Sequence, residues 1–251
     1  MSGRLEGKVC VVTGAGSGIG AASAARFRAE GAVVVGWDLE PPAAAQLDLA
    51  RAVDVADEEA VRAGYAEVAA RFGRIDVLFN NAGISPERDG SILDADSEVW
   101  ARVQRVNLDG VYHCCKHGIP HLLVAGGGSV VNTASFVAVV GSAVSQASYT
   151  ASKGAVLALS RELGVEFMAR GVRVNALCPG PVRTSLLEET QRAEPAAAAV
   201  RLARLPAGRP AEVEEIANAA LFLASDESSY VNATAFVVDG GAAAAYLATP
   251  A

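Results

Sequence analysis

The chain has 251 residues, of which 51% are hydrophobic and 20% are charged, and its formal net charge is −7. Nucleic-acid-binding domains are usually basic, so this charge predicts no nucleic-acid partner. No apolar run approaches the ~20 residues of a membrane-spanning helix, and the first residues lack the apolar core of a secretion signal. We therefore expect a cytoplasmic protein that makes no membrane contact. A chain of this length is compatible with one large α/β domain.

A short apolar run at Lys8–Val12 leads into a glycine-rich turn and then into an alanine-rich stretch that ends near Glu30. This order predicts a buried parallel strand, a turn and a helix. The turn has the spacing Gly14-x-x-x-Gly18-x-Gly20, which differs from the usual G-x-G-x-x-G dinucleotide pattern. Glycines admit a pyrophosphate close to the backbone, and a helix N-terminus offers free N–H groups. We therefore predict a dinucleotide-phosphate site here.

Asp38 follows a second predicted strand, Ala32–Trp37. A carboxylate at this place can accept hydrogen bonds from both adenosine ribose hydroxyls and repels a 2′-phosphate. Leu39 comes next, and Ser17 rather than a basic residue lies in the glycine turn. The sequence therefore predicts NAD(H) as the cofactor, with NADP(H) as the less favoured alternative.

A Tyr-x-x-x-Lys pair, Tyr149 and Lys153, lies in a helix predicted from Tyr149 to about Ala169. Residues four apart share one face of a helix, so the phenol and the ammonium can meet. A phenol has a pKa near 10, and a nearby cation lowers that pKa. Ser135, at the end of a predicted strand, could hold a substrate oxygen beside Tyr149. This set suits proton exchange with an alcohol or ketone while hydride moves to or from a nicotinamide.

Strands and helices alternate along the whole chain. The pattern predicts a single α/β domain over residues 1–251, a Rossmann-type doubly wound parallel sheet of about seven strands with helices on both faces. Later strands are predicted at Arg51–Val55, Ile75–Phe79, within 126–135, at Arg173–Leu177 and from Ala235. Later helices are predicted at Asp57–Phe72, at Ser97–Leu108 after a cap at Asp96 or Ser97, and from Pro210 onward. Residues 185–207 are predicted to form a helical lid.

The joint occurrence of these motifs resembles the short-chain dehydrogenase/reductase family, and the resemblance covers Lys8–Gly241. It implies four catalytic residues: Asn107, Ser135, Tyr149 and Lys153. In the family the asparagine holds a water joined to the lysine and disturbs its helix locally. The lysine holds the nicotinamide ribose. The implied cofactor contacts are Gly14, Ser17, Gly18, Ile19, Gly20, Asp38, Asp54, Val55, Asn81, Ala82, Gly83, Tyr149, Lys153, Pro179, Gly180, Val182 and Thr184.

Within this family the pattern is closest to secondary-alcohol dehydrogenases and to 3-oxoacyl-thioester reductases, which act on acyl carrier protein or CoA thioesters. The main interpretation is an NAD(H)-dependent alcohol/ketone oxidoreductase. A thioester reductase that uses NADPH is the alternative, and a non-catalytic nucleotide sensor is a remote one. The resemblance also implies a homotetramer or homodimer.

The substrate side is predicted to be mostly apolar and to be bordered by Ile84, Phe136, Val137, Val182, Leu186 and Leu187. One residue more than the family commonly has separates Ser135 from Tyr149, which predicts a larger loop at the pocket mouth. No basic residue obviously serves a substrate carboxylate, although Arg183 lies near the Pro179-Gly180 motif.

The cysteines and histidines have other interpretations than metal binding. Cys10, Cys114, Cys115 and Cys178 lack ligand spacing and are predicted to be small buried residues. His113, His117 and His121 recur at helical spacing, but Pro120 interrupts the stripe. We interpret the histidines as polar surface or interface residues and expect no metal site.

Overall fold

The computed structural model describes residues 3–42, 47–86, 88–185, 187–188, 196, 199–200, 203 and 205–245. The strands are β1 Val9–Thr13, β2 Val33–Asp38, β3 Leu49–Ala52, β4 Val77–Asn80, β5 Gly128–Thr133, β6 Val172–Pro179 and β7 Ala235–Val238. The helices are α1 Gly18–Ala29, α2 Glu58–Phe72, α3 Ser97–Gln104, α4 Gly110–Val124, α5 Ala147–Phe167 and α6 Val213–Ala224.

All seven strands form one parallel sheet in the order β3-β2-β1-β4-β5-β6-β7. Every residue of β1, β4 and β6 is buried, as expected for central strands of a parallel sheet covered on both faces. The order reverses after β1, since β2 and β4 pair on its two sides. Ligands of open α/β sheets bind at the carboxyl ends of strands beside such a reversal.

Helices cover both faces of the sheet, which confirms the predicted doubly wound fold. On one face, Tyr65 of α2, Leu122 of α4 and Val156 of α5 belong to the same buried cluster. On the other face, Phe27 of α1 and Leu221 of α6 pack with strand residues in a second cluster. None of the helices in the described part of the chain combines the length and apolar character needed to cross a bilayer.

Several element boundaries differ from the prediction. The third strand ends at Ala52, so Asp54 lies beyond it in the loop to α2. Helix α6 begins at Val213 after a capping box made by Glu212, so Pro210 precedes the helix instead of starting it. Most of the predicted lid at 185–207, including Leu186, lies outside the described residues.

The helix predicted at Ser97–Leu108 is capped by Asp96, and its α-helical part ends at Gln104. Helices α3 and α4 are joined by one turn of π-helix, Arg105–Asp109, which contains Asn107. A π-turn inserts a residue into the α-helical ladder and is frequent at functional sites. The local disturbance that the family resemblance implied is therefore present.

Candidate active site

A cavity of about 1430 Å³ opens at the carboxyl ends of the strands. Most of the predicted site residues line it, whereas Gly20 and Asn107 are not among the residues at its surface. The residues that line it are Gly14, Ser17, Gly18, Ile19, Asp38, Asp54, Val55, Asn81, Ala82, Gly83, Ser135, Tyr149, Lys153, Pro179, Gly180, Val182 and Thr184.

The turn between β1 and α1 depends on its glycines. Gly14 and Gly18 have φ values of +67° and +51°, a region that side chains rarely adopt. A Cβ at Gly20 would lie 1.9 Å from the main-chain oxygen of Gly14, so only glycine lets the helix start this close to the turn. Ser17 makes no side-chain bond to the helix that it precedes. The N-terminus of α1 therefore faces the cavity uncapped, as an anion site requires.

The carboxylate of Asp38 has a fixed orientation at the end of β2. Its Oδ2 accepts a hydrogen bond from the N–H of Gly16 over 2.9 Å, and its Oδ1 accepts one from the N–H of Leu39 over 2.8 Å. A carboxylate has about four acceptor sites, so two remain for ligand hydroxyls. In the neighbouring loop, Asp54 accepts a bond from the N–H of Ala56 over 2.9 Å.

Thr13 joins the glycine turn to the segment after β4. Its Oγ1 accepts hydrogen bonds from the N–H groups of Asn81 and Ala82, each over 3.0 Å. A Cβ at Gly14 would lie 3.0 Å from the Cα of Ala82. The small residues of Asn81-Ala82-Gly83 thus permit the close approach of two backbone segments beneath the cavity.

Tyr149, Lys153 and Ser135 come together at the wall of the cavity. The Lys153 ammonium lies 5.7 Å from the centre of the Tyr149 ring, as expected for residues one turn apart on α5. Ser135 lines the same part of the cavity, and its hydroxyl interacts with the Tyr149 phenol. Ser135 itself lies just after β5 and begins a short 3-10 turn, Phe136–Ala138. The predicted catalytic trio is therefore one local cluster.

Burial dominates the ionisation of the two titratable groups in this cluster. It raises the pKa of the Tyr149 phenol, and the hydrogen bond with Ser135 opposes the rise. Burial also lowers the pKa of Lys153 from 10.5 to about 8. The sequence predicted that the lysine would lower the phenol pKa. Instead, the ammonium donates to the main-chain oxygen of Thr133 over 2.6 Å, and burial of the phenol has the larger effect.

Asn107 is fully buried, and its side-chain amide is bonded to protein groups. Its Oδ1 accepts from the N–H of Ile84 over 2.8 Å, while its Nδ2 donates to the Ile84 oxygen and to Ser152 Oγ over 2.9 and 3.1 Å. A Cβ at Gly83 would lie 3.3 Å from both Asn107 Oδ1 and Lys153 Nζ. Asn107 and Lys153 therefore flank Gly83, and Asn107 fixes the backbone next to it.

The segment after β6 closes the cavity from the other side. A Cβ at Gly180 would lie 2.8 Å from the Cα of Asp239, so this turn also needs glycine. The methyl group of Thr184 would lie 3.2 Å from a Cβ at Gly18, which places the two turns against each other. Together the turns form a cradle whose free N–H groups, carboxylate and small residues fit a dinucleotide.

Comparison with known proteins agrees with this architecture. A family described as enoyl-(acyl carrier protein) reductase has a model that matches residues 14–243. The meso-2,3-butanediol dehydrogenase of Serratia marcescens is 43% identical over 96% of this chain and 96% of its own. The 3-oxoacyl-(acyl-carrier-protein) reductase of Thermotoga maritima is 39% identical over 95% of this chain and 98% of its own. The crystal structure of levodione reductase has a TM-score of 0.88 and 36% identity, covering 97% of this chain and 100% of that one.

The chain belongs to the short-chain dehydrogenase/reductase family. It is an oxidoreductase that uses a nicotinamide cofactor and acts on CH–OH groups, as the main interpretation of the sequence stated. Secondary-alcohol dehydrogenases and a thioester reductase both occur among its relatives.

Some residues that line the cavity could not be placed there from the sequence. Arg102 and Arg105 line the cavity, although neither belongs to a recognised sequence motif. Gln146, just before α5, also lines it and makes no side-chain bond to the helix. Arg183, which the sequence placed near the site, pairs with Glu212 instead. Their positions depend on packing between distant elements, which leaves no local signal.

The remaining polar candidates have structural partners. The Nδ1 of His113 lies 2.9 Å from the Val55 oxygen, and the Nε2 of His117 lies 2.9 Å from Glu58 Oε1. Glu58 also accepts from Lys116, and these contacts lower its pKa to about 2. All four cysteines are free and buried, which confirms their interpretation as small interior residues.

Proposed function

We propose that this protein is an NAD(H)-dependent oxidoreductase that interconverts a secondary alcohol and a ketone, with Tyr149 as general acid and base. The observation that carries the proposal is the clustering of Ser135, Tyr149 and Lys153 at the cavity wall, with the Lys153 ammonium 5.7 Å from the centre of the Tyr149 ring. A phenol within reach of a substrate oxygen, with a hydroxyl beside it, suits proton transfer to or from that oxygen.

Each side chain has a defined task in this proposal. A bound nicotinamide would supply or accept the hydride. Tyr149 gives its proton to the carbonyl oxygen in reduction and takes it from the alcohol in oxidation. Ser135 orients that oxygen. Lys153 would hold the ribose of the cofactor, and Asn107 would organise the proton path next to Gly83.

The preference for NAD(H) over NADP(H) follows from Asp38. Its carboxylate is oriented by two backbone N–H groups at the cavity edge, and its neighbours Leu39 and Ser17 are uncharged. A ribose with two free hydroxyls can bond this carboxylate, whereas a 2′-phosphate would place like charges together. The Asp38 carboxylate therefore favours binding of NAD(H) and disfavours binding of NADP(H).

The cavity favours a small, largely apolar substrate with one further oxygen. Ile84, Phe136, Val137, Val182 and Leu187 line it, as the sequence predicted. Three neutral polar residues, Ser85, Ser142 and Gln146, also line it and could bind a second hydroxyl or carbonyl. Relatives named for butanediol and levodione act on compounds with two oxygens. We therefore propose vicinal diols, hydroxyketones and diketones as the first substrate class.

A thioester reductase is the second candidate. The relative from Thermotoga maritima is named for that activity, and two arginines, Arg102 and Arg105, line the cavity and could meet a phosphate of a long thioester. Asp38 argues against the NADPH that this alternative assumes.

A rate screen separates the candidates. The purified protein is assayed with NADH and NADPH against acetoin and diacetyl, simple alkyl and aryl ketones, cyclic and sugar ketones, and acetoacetyl thioesters. The proposal expects the highest rate with NADH on the first group. A preference for NADPH and an acetoacetyl thioester supports the second candidate. Tight NADH binding without turnover of any compound would support a nucleotide sensor.

We also propose that the protein is cytoplasmic and forms a homotetramer. Exposed apolar side chains on α4 and α5, such as Tyr112 and Val165, support association between copies. Light scattering coupled to size exclusion gives the mass of the assembly directly, and a monomeric mass contradicts this part of the proposal.

A further inference from the structure

Asp89 lies in the loop between β4 and α3, and only 7% of the residue is exposed. Its Oδ1 accepts a hydrogen bond from the main-chain N–H of Ser148 over 2.9 Å, and its Oδ2 accepts one from the N–H of Tyr149 over 2.7 Å. Hydrogen bonds to a charged acceptor are stronger than neutral ones. Asp89 therefore contacts the backbone of the residue that carries the proposed acid/base group.

The two N–H groups belong to the first turn of α5 and have no acceptor within the helix. The side chain of the residue before a helix commonly supplies an acceptor for these N–H groups. Asp57 does so for α2, and Asp96 does so for α3. Gln146 makes no such bond for α5, and its backbone, with φ −158° and ψ 65°, lies outside the extended region that those two residues adopt. Asp89 supplies the missing cap from 59 residues away.

Two further contacts hold the same turn. The main-chain oxygen of Gly90 accepts a hydrogen bond from the N–H of Ala147 over 3.2 Å. Gln104 of α3 donates from Nε2 to the main-chain oxygen of Ser148 over 3.0 Å. The start of α5 is thus fixed by the loop after β4 and by α3, and the position of the Tyr149 backbone depends on both.

We propose that Asp89 is a positioning residue for Tyr149, which holds the main chain of that tyrosine and places a fixed negative charge at the N-terminus of α5. The inference rests on the proposed role of Tyr149. Loss of the contact should let the phenol depart from its place beside Ser135, so that the rate falls while cofactor binding persists. Loss of the charge should make the phenolate easier to form.

The other polar groups near the Tyr149 phenol make no hydrogen bond with Asp89. The Ser135 hydroxyl and the Cys178 thiol face the phenol from the ends of β5 and β6, and Lys153 lies on the same helix. Arg88, next to Asp89, pairs with Asp96. Within the described ranges, Asp89 is the carboxylate that hydrogen-bonds this turn.

The test compares Asp89→Asn and Asp89→Ala with Asp96→Asn, which alters the cap of α3 in the same part of the fold. For each variant, kcat and KM are measured against pH with NAD⁺ and meso-2,3-butanediol, or with the fastest alcohol of the screen. Amide hydrogen exchange follows the N–H groups of Ser148 and Tyr149. Asp89→Asn keeps one acceptor oxygen, so it still tests the positioning role of Asp89 if Asp89→Ala does not fold.

The proposal expects kcat to fall about tenfold in Asp89→Asn, with an unchanged KM for NAD⁺ and faster exchange at Tyr149. The acidic limb of the oxidation profile should move down by about half a pH unit, the size expected when one negative charge near the phenol is removed from a partly solvated site. Asp96→Asn should change neither the rate nor the profile. Equal behaviour of Asp89→Asn and Asp96→Asn in kcat and in the pH profile would overturn the proposal. Failure of the acid/base assignment appears separately, as activity that survives in Tyr149→Phe.

Discussion

The Nζ atom of Lys153 donates a hydrogen bond to the main-chain oxygen of Thr133 over 2.6 Å, which ties α5 to the end of β5. The lysine is almost fully buried, with 3% of the residue exposed, and burial lowers its pKa to about 8. A buried ammonium that lacks a carboxylate partner destabilises the folded state, because the unfolded chain solvates it better. The site therefore retains a charge at a cost in stability.

This cost gives a prediction for Lys153→Met. A shift from 10.5 to about 8 corresponds to ~3 kcal/mol at 1.36 kcal/mol per pKa unit, and the lost bond to Thr133 offsets about 1 kcal/mol. The variant should be inactive and yet more stable than wild type at pH 7. Between pH 8 and 10.5 the folded wild type has lost this proton while the unfolded chain keeps it. The free energy of unfolding of the wild type therefore rises between pH 8 and 10.5, and the difference in stability between Lys153→Met and wild type becomes smaller.

Melting temperatures of both proteins at pH 7 and pH 10 check this. Lys116→Met, at an exposed lysine on α4, is the control, and its difference in melting temperature from wild type should not shrink between pH 7 and pH 10. A gap that stays constant between the two pH values would contradict the assigned cause.

The raised pKa of Tyr149 predicts opposite pH dependences for the two reaction directions. Reduction needs the protonated phenol, which burial favours, so its rate should not increase between pH 7 and 10. Oxidation needs the phenol to accept a proton, so its rate should increase over the same range. Initial rates with NADH and ketone, and with NAD⁺ and alcohol, measure both. An oxidation rate that is highest near pH 7 would contradict the assignment.

Asn107→Ala should reduce both stability and rate. The change removes three hydrogen bonds and leaves both backbone groups of Ile84 without their partner, which costs about 1–3 kcal/mol for each buried unsatisfied group. Asn232 also accepts a hydrogen bond from the N–H of Val174 and donates one to the main-chain oxygen of Gly164, but it lies away from the cavity. Asn232→Ala should lower the melting temperature similarly and keep kcat. Equal loss of kcat in the two variants would mean that Asn107 acts only on stability.

The cofactor preference is tested at Asp38. Wild type should bind NADH at least about tenfold more tightly than NADPH, since one charge repulsion of this kind is worth more than 1.4 kcal/mol in a partly buried site. Asp38→Ala should narrow that ratio. Asp94→Ala removes the same charge from an exposed loop and should leave it unchanged. Equal affinities of wild type for both cofactors, measured by calorimetry, would refute the role of Asp38.

Much of the fold follows from local sequence. Short apolar runs mark β1, β2 and β4, and Asp57 and Asp96 mark helix starts, so these elements were predicted close to their true bounds. The clustering of Ser135, Tyr149 and Lys153 was predictable because Tyr149 and Lys153 share one helix face and strand ends meet at one edge of a sheet. Asp89 was not predictable, since its two bonds join residues 59 and 60 positions apart. The direction of the Tyr149 pKa shift was also missed, because burial is a property of the packed chain.

The measurement that most directly tests the account is the NADH-linked reduction rate of Tyr149→Phe, at saturating ketone, beside Tyr112→Phe. Tyr112 is an exposed tyrosine on α4, so its variant loses the same hydroxyl outside the site. The account predicts that Tyr149→Phe binds NADH normally and loses 10²–10⁴-fold in kcat, the usual size of general acid–base catalysis, whereas Tyr112→Phe keeps the wild-type rate. A Tyr149→Phe enzyme that retains more than about a tenth of the wild-type rate would contradict the central claim.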